Sequence, residues 1–152
     1  MQSTNVDLGR LLQEVDAANT RMLDGDWSLW RELISHREDL TLLGAYGSYV
    51  VGWEPVSARF ERTAAGYAGG GGQSTHEHIS SWSGADLACT VALERHDTRL
   101  GGKPDLVTFF YCVTHLFRRE GEDWKVVLRH ADPLATFVGP EVAHSRALLT
   151  GE

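Results

Sequence analysis

Residues 114–133 read THLFRREGEDWKVVLRHADP and contain the pattern that decides the fold. Two strand-like runs flank residues 120–123, EGED, which form a short acidic stretch rich in turn-forming residues. Runs of this kind around such a stretch are typical of a β-hairpin. The sequence therefore predicts an antiparallel pair of strands near the end of the chain.

The second half of the chain has four strand-like segments, of which this hairpin supplies the last two. Short stretches rich in Gly, Pro, Ser and Asp separate them, and such separators favour hairpins over helical crossovers. We predict an antiparallel meander over residues 74–83, 87–97, 106–119 and 124–131.

The first half of the chain has helical periodicity instead. Apolar residues recur at three- and four-residue spacing over 7–23, and a shorter helix is predicted after Asp26, whose side chain suits an N-cap. A short strand is expected at 40–43, and Pro55 stands at the start of a third helix. Helices first and strands afterwards is the α+β order, with the helices collected on one face of the sheet.

Composition and charge limit the class of protein. The 152 residues are 42% hydrophobic and contain no run long enough to cross a membrane. The net charge is −7 with scattered basic residues, so we expect neither nucleic acid nor a membrane surface as a partner. The polar N-terminus lacks the features of a secretory signal, which predicts a cytoplasmic protein. No cofactor motif is present, so we expect no cofactor.

The segment 106–119 carries apolar side chains on both of its faces. Helices can cover only one face of a sheet, so we expect the other face to meet a second subunit in a homodimer. The alternative is that the C-terminal residues 136–152 cover this face.

The order of elements and the final hairpin resemble the nuclear transport factor 2-like superfamily, in its SnoaL-like and calmodulin-kinase-association-domain-like branch. The most specific part is the hairpin, with a basic strand end, an acidic turn, a Trp, two β-branched residues and His-x-Asp. The resemblance covers residues 7–138 of a single domain, 1–152, and leaves 139–152 as a tail. It implies a cystatin-like α+β roll, in which three helices pack on a strongly curved, mostly antiparallel sheet that forms a ketosteroid isomerase-like cone around one internal pocket.

The last strand supplies the main catalytic candidates. Trp124, Val126, Leu128, His130 and Asp132 alternate onto one face if the strand is regular, and the resemblance implies that this face lines the pocket. An imidazole beside a carboxylate is suited to proton transfer near neutral pH. The alternative is a His satisfied by the backbone and an Asp that caps the next turn.

Two further candidates, Tyr111 and His115, lie on one face of segment 106–119. If that face is turned inward they can polarise a substrate, and in the opposite register they belong to the dimer interface. Glu94 and His96 likewise share one face of the preceding segment, where we expect them at an exposed rim.

Other side chains are expected around the pocket or at its mouth. His76 and His78 share one face of a strand, but two ligands do not make a metal site, and we expect no bound metal. The remaining pocket candidates are Trp53, Tyr46, Tyr49, Trp82, His78, Val126 and Leu128.

The fold alone does not give the function, because the same cone serves several chemistries. One hypothesis is a cofactor-independent acid/base enzyme, an isomerase, dehydratase, cyclase or hydrolase, that uses His130 and Asp132 on a small molecule. The alternative is a non-catalytic ligand-binding or dimer-assembly domain. A remote alternative is a metal-binding protein that uses His76 and His78.

Overall fold

The structure, a computed structural model, describes residues 6–45, 47–67, 69–100 and 103–134. Its three helices are α1 (Leu8–Leu23), α2 (Ser28–Leu33) and α3 (Trp53–Tyr67). Its six strands are β1 (Thr41–Leu43), β2 (Tyr49–Val51), β3 (Gly72–Ser83), β4 (Leu87–Thr98), β5 (Val107–Glu120) and β6 (Asp123–Pro133).

The first helix begins and ends where the sequence predicts, and the second begins shortly after Asp26, as predicted. The Asp7 side chain caps α1 by accepting a hydrogen bond from the backbone N–H of Arg10 at 2.9 Å. After α1 ends, Gly25 adopts a φ of 91°, which a residue without Cβ adopts at low cost. Asp26 then accepts a hydrogen bond from the backbone N–H of Ser28, the first residue of α2.

The sheet is mixed and open, with the strand order β2-β1-β6-β5-β4-β3. The predicted antiparallel meander is confirmed as β3 to β6. The short strand β1 runs parallel to β6, with Thr41 opposite Leu128, and β2 is an edge strand that the sequence did not predict. The predicted α+β class is therefore confirmed, with a parallel pair added to the meander.

The three helices cover one face of the sheet, which we call the inner face. The buried core joins α1, α2 and α3 to β5 and β6, and the rings of Trp30 and Phe60 lie 5.4 Å apart at its centre. On the inner face of β4 every second residue from Ala88 to Thr98 is buried. On β5 the corresponding residues are Tyr111, Val113, His115 and Phe117.

The opposite face of the sheet, the outer face, exposes several large apolar residues that no other described part of the chain covers. Trp82 is 62% exposed and Phe110 is 43% exposed, although both are large apolar residues. The alternative cover, residues 136–152, lies outside the described residues, as does the predicted tail of the domain. Large exposed apolar residues on this face are Tyr49, Val51, Trp82, Leu87 and Phe110.

Two β-bulges interrupt the sheet. One lies at Ile79 in β3, and the other lies in β6, where Leu116 pairs with Leu128 but its neighbour Phe117 pairs with Val126. Val127 is thus an extra residue in β6. Within the described part of the chain, no helix has both the length and the apolar character that a membrane span requires.

Candidate functional site

A cavity of about 210 Å³ lies between α1, α3 and the inner face of the sheet. Its wall is largely apolar and aromatic, with a few polar side chains, as small-molecule sites usually are. The lining residues are Asn19, Met22, Leu23, Trp30, Leu42, Gly44, Ala45, Arg59, Phe60, Thr63, Tyr67, His96, Tyr111, Arg129 and Ala131.

A buried ion pair forms the polar end of this cavity. The Arg129 guanidinium donates two hydrogen bonds to the Glu94 carboxylate, at 2.7 and 2.9 Å, and Glu94 is only 2% exposed. The Asn19 side-chain amide donates a third hydrogen bond to this carboxylate at 2.8 Å. Trp30 donates its ring N–H to Asn19, and its ring lies 5.3 Å from the guanidinium carbon. The carboxylate is therefore held in one orientation from two sides.

These contacts fix the ionisation of Glu94. Burial by itself raises the pKa of this carboxyl group. The charge and hydrogen bonds of Arg129, together with the adjacent His96 side chain, oppose burial and prevail, so the pKa of Glu94 lies well below its usual value. Glu94 is therefore a carboxylate at neutral pH, paired with Arg129.

His115 lies behind the ion pair and is almost fully buried. Its Nε2 atom is 2.9 Å from Nη1 of Arg129, and since a guanidinium can only donate, Nε2 is the acceptor. Burial, followed by the charge of Arg129, lowers the pKa of His115 from 6.5 to about 3, although Glu94 opposes the shift. His115 is thus a neutral imidazole with its proton on Nδ1, and it supports Arg129 instead of lining the cavity.

His96 is the imidazole that lines the cavity itself. It is buried, and its ring meets the ring of Tyr111 edge-on at 5.1 Å. The Nε2 atom is 3.7 Å from Oε2 of Glu94, which is too long for a hydrogen bond, and it has no hydrogen-bond partner among the described residues. A titratable nitrogen next to a carboxylate and inside a cavity is an arrangement that can exchange a proton with a bound molecule.

The predicted inward orientation of His130 and Asp132 is wrong. Their side chains lie 3.4 Å apart but on the outer face, where they are 44% and 68% exposed. The cause is the bulge at Val127, because one extra residue reverses the alternation of the strand beyond it. Arg129 and Ala131 consequently face the cavity.

Most of the residues predicted for the pocket wall lie elsewhere. Trp53 stacks on His36 with ring centres 3.7 Å apart and does not line the cavity. Tyr49 is exposed on the outer face because it pairs with Leu43, which lies on that face beside His130. Trp82 is exposed there because the bulge in β3 sets its direction. His78 is exposed on β3, and Val126 is buried in the core. Leu128 lies opposite Thr41 and does not line the cavity. Tyr46 lies outside the described residues.

The structure resolves one alternative that the sequence left open and corrects one expectation. Tyr111 lines the cavity and His115 is buried on the same face, so this face of β5 is the inner one. The expectation that Glu94 and His96 lie at an exposed rim is wrong, because α1 covers this part of β4 and its Asn19 contacts Glu94.

Sequence reasoning did not find Asn19 or Arg59. Asn19 had a signal, because it is a polar residue at an apolar position of the α1 stripe, between Val15 and Met22. Arg59 had none, because a basic residue in a helix is usually exposed to solvent.

His76 pairs with the helix above it instead of with His78. Its Nδ1 atom is 2.6 Å from Oδ2 of Asp16, and burial raises the pKa of Asp16 against the opposing effect of this contact. Among the described residues, no three His, Cys, Asp or Glu side chains are grouped to hold a metal ion.

Comparisons with known proteins agree with this architecture. No protein-family model and no curated protein matches the chain. A ketosteroid isomerase-like protein from Erwinia carotovora atroseptica has a TM-score of 0.68 at 14% identity, with 86% of this chain and 98% of that chain covered. A candidate calcium/calmodulin-dependent protein kinase II association domain from Xanthomonas campestris has a TM-score of 0.69 at 11% identity, with 86% and 88% covered.

A nuclear transport factor 2-like superfamily protein from Salmonella enterica serovar Typhimurium has a TM-score of 0.65 at 12% identity, with 88% of this chain and 98% of that chain covered. The chain therefore has the nuclear transport factor 2-like fold, as the resemblance of its final hairpin predicted.

Proposed function

We propose that the protein binds a small organic molecule in its cavity and exchanges a proton with it through His96, as a cofactor-independent acid/base enzyme. The observation that carries this proposal is the ionised Glu94 and Arg129 pair beside an imidazole in a largely apolar cavity. A buried ion pair often stabilises a protein no better than apolar packing would, and carboxyl groups with strongly shifted pKa values, such as Glu94, cluster at functional sites.

Each polar group has a separate role in this proposal. His96 accepts or donates the proton through Nε2, which lies 3.7 Å from Oε2 of Glu94. Arg129 keeps Glu94 ionised, and His115 and Asn19 are positioning residues that hold the pair. Tyr111, on the same wall, is placed to polarise a substrate oxygen. His130 and Asp132 have no part in this proposal, since they lie outside the cavity.

The experiment that tests the proposal is deuterium exchange into a panel of small ring ketones in D₂O, followed by proton NMR. His96 would take a proton from the carbon beside the carbonyl group, the electron pair would move to the carbonyl oxygen, and a deuteron would return to carbon. We expect protein-dependent exchange that His96→Gln lowers at least roughly a hundredfold. The matched control, His130→Gln on the outer face, should exchange at the wild-type rate. Equal rates in the wild type and His96→Gln, or no exchange in the whole panel, would contradict the proposal.

A second part of the proposal is a homodimer that forms through the outer face. It is supported by the large apolar side chains that this face exposes in the single chain, since monomers seldom expose apolar patches of this kind. This dimer would also serve a non-catalytic binding protein, so it does not depend on the role of His96. The cytoplasmic location stays a prediction of the sequence.

A further inference from the structure

Two guanidinium groups line the cavity, and their surroundings differ. Both terminal nitrogens of Arg129 are hydrogen-bonded to Glu94, so its charge is neutralised within the protein. Arg59, on α3, donates one hydrogen bond to the backbone carbonyl oxygen of Ser48 at 3.1 Å. Among the described residues, every ion pair of an arginine involves a residue other than Arg59. Within the described ranges, the cavity wall thus contains one cation that no carboxylate contacts.

The loop after β1 makes room for this cation. Gly44 and Gly47 lie against the Arg59 guanidinium, and a Cβ atom at Gly47 would collide with its Nη2 atom. A Cβ atom at Gly44 would be 3.0 Å from the same nitrogen. The two glycines therefore let the guanidinium sit at the cavity wall, where the Ser48 carbonyl group holds it.

The Arg59 guanidinium, which no described carboxylate contacts, indicates a class of ligand. The protein has 21 acidic and 14 basic residues, which give a net charge of −7. Despite this excess of acidic residues, no described carboxylate pairs with Arg59. A half-buried guanidinium in a largely apolar wall is stabilised most by an anion that can accept two parallel hydrogen bonds from its N–H groups, as a carboxylate does. We propose that the ligand of this cavity is an organic monocarboxylate whose carboxylate group binds Arg59.

The size of the cavity limits the rest of the ligand. A protein cavity of about 150 Å³ accommodates benzene, so a cavity of about 210 Å³ suits a single ring with one or two substituents. Arg59 is on α3 and His96 is on β4, so the carboxylate lies at one wall and the reacting group at the other. The apolar body of the ligand lies between them against Met22, Trp30 and Phe60.

This inference rests on the proposed function and is tested separately from it. The probes are benzoate, phenylacetate and cyclohexanecarboxylate, each paired with its neutral amide and measured by isothermal titration calorimetry. We expect the carboxylates to bind at least roughly tenfold more tightly than the amides. Arg59→Gln should abolish this preference, and Arg59→Lys should retain part of it because the charge remains. Arg62→Gln, an exposed position on the same helix, is the matched control and should leave the preference unchanged.

Each other outcome has a distinct meaning. If acids and amides bind equally well in the wild type, the ligand class is wrong while the binding function stands. If Arg59→Gln keeps the preference, the assignment to Arg59 is overturned. If no probe of either kind binds, both this inference and the proposed binding function are overturned. Ala131→Phe, which fills the cavity, should abolish binding of every probe, and retained binding would place the probes elsewhere and overturn the inference.

Discussion

Nε2 of His115 accepts a hydrogen bond from Nη1 of Arg129 at 2.9 Å, with His115 fully buried and Arg129 paired with Glu94. Because Arg129 is always a donor, protonation of His115 would place two cations in contact. This contact makes the stability of the protein sensitive to pH in a window that His115 determines.

We expect the free energy of unfolding to fall on acidification from about pH 6.5 toward about pH 3. The pKa of His115 is lowered from 6.5 to about 3, so in this window the unfolded chain binds a proton that the folded protein does not. The stability that neutral His115 contributes is fully present above pH 6.5, the pKa of this group in the unfolded chain, and is lost as the pH falls toward about 3. Between pH 7 and pH 5 the loss from this group is roughly 2 kcal/mol. The measurement is urea unfolding at several pH values.

His115→Gln provides the comparison, because an amide oxygen can accept from Arg129 but does not titrate. Above about pH 5, the free energy of unfolding of this variant should depend less on pH than that of the wild type. The comparison is made in this range because the stability that ionised Glu94 contributes is lost only at lower pH. His130→Gln, on the outer face, should keep the wild-type slope. An unchanged slope in His115→Gln would contradict the neutral, buried state of His115.

Replacing one partner of the Glu94 and Arg129 pair should lower the free energy of unfolding more than replacing both. Glu94→Gln leaves a buried guanidinium without its counterion, which costs roughly 3 kcal/mol or more of stability. The double variant Glu94→Gln and Arg129→Met removes that unpaired charge. A double-mutant cycle by urea denaturation should therefore give a coupling energy of at least about 1 kcal/mol. Additive effects of the two substitutions would argue against the pair.

Chemical labelling can test which histidines are outside. We expect diethylpyrocarbonate to modify His130 readily, because its side chain is 44% exposed, and to leave His115 unmodified in the folded protein. Peptide mass spectrometry after a short reaction measures both sites, and His130→Gln confirms the assignment. Protection of His130 would mean that β6 lacks the bulge at Val127. Rapid modification of His115 would mean that its face of β5 is not the inner one.

The proposed dimer predicts a change of mass in solution. Phe110→Lys places a charge on the outer face and should convert a dimer into a monomer at micromolar concentration, measured by size-exclusion chromatography with light scattering. Gln13→Lys, at an exposed position of α1, adds the same charge on the helical side and should leave the dimer intact. A monomeric wild-type protein would refute this part of the proposal.

The fold was largely predictable because its signals are local. The stripe of α1 and the turn residues between β3, β4, β5 and β6 depend on neighbours in the chain, and both predictions are confirmed. The parallel contact of β1 with β6 joins residues far apart in sequence, and no local pattern encodes it.

The site was less predictable because it depends on which alternate residues of β6 face the interior. Val126 and Val127 are adjacent and both buried, so the sequence does not reveal that one of them is the extra residue of a bulge. A shift of one position exchanges His130 with Arg129, and the predicted acid/base pair changes with it. On β5, where the alternation is regular, Tyr111 and His115 fall on the inner face together.

The extra residue at Val127 has a consequence for any position-by-position comparison of proteins with this fold. Upstream of it, one parity of residue numbers faces the interior, and downstream the other parity does, so a single insertion or deletion in β6 would exchange interior and surface for the rest of the strand. Two chains aligned here without a gap can therefore share a His and an Asp in the alignment while only one of them offers those groups to its ligand. Equivalent residues must be counted from the bulge, on each side of it separately.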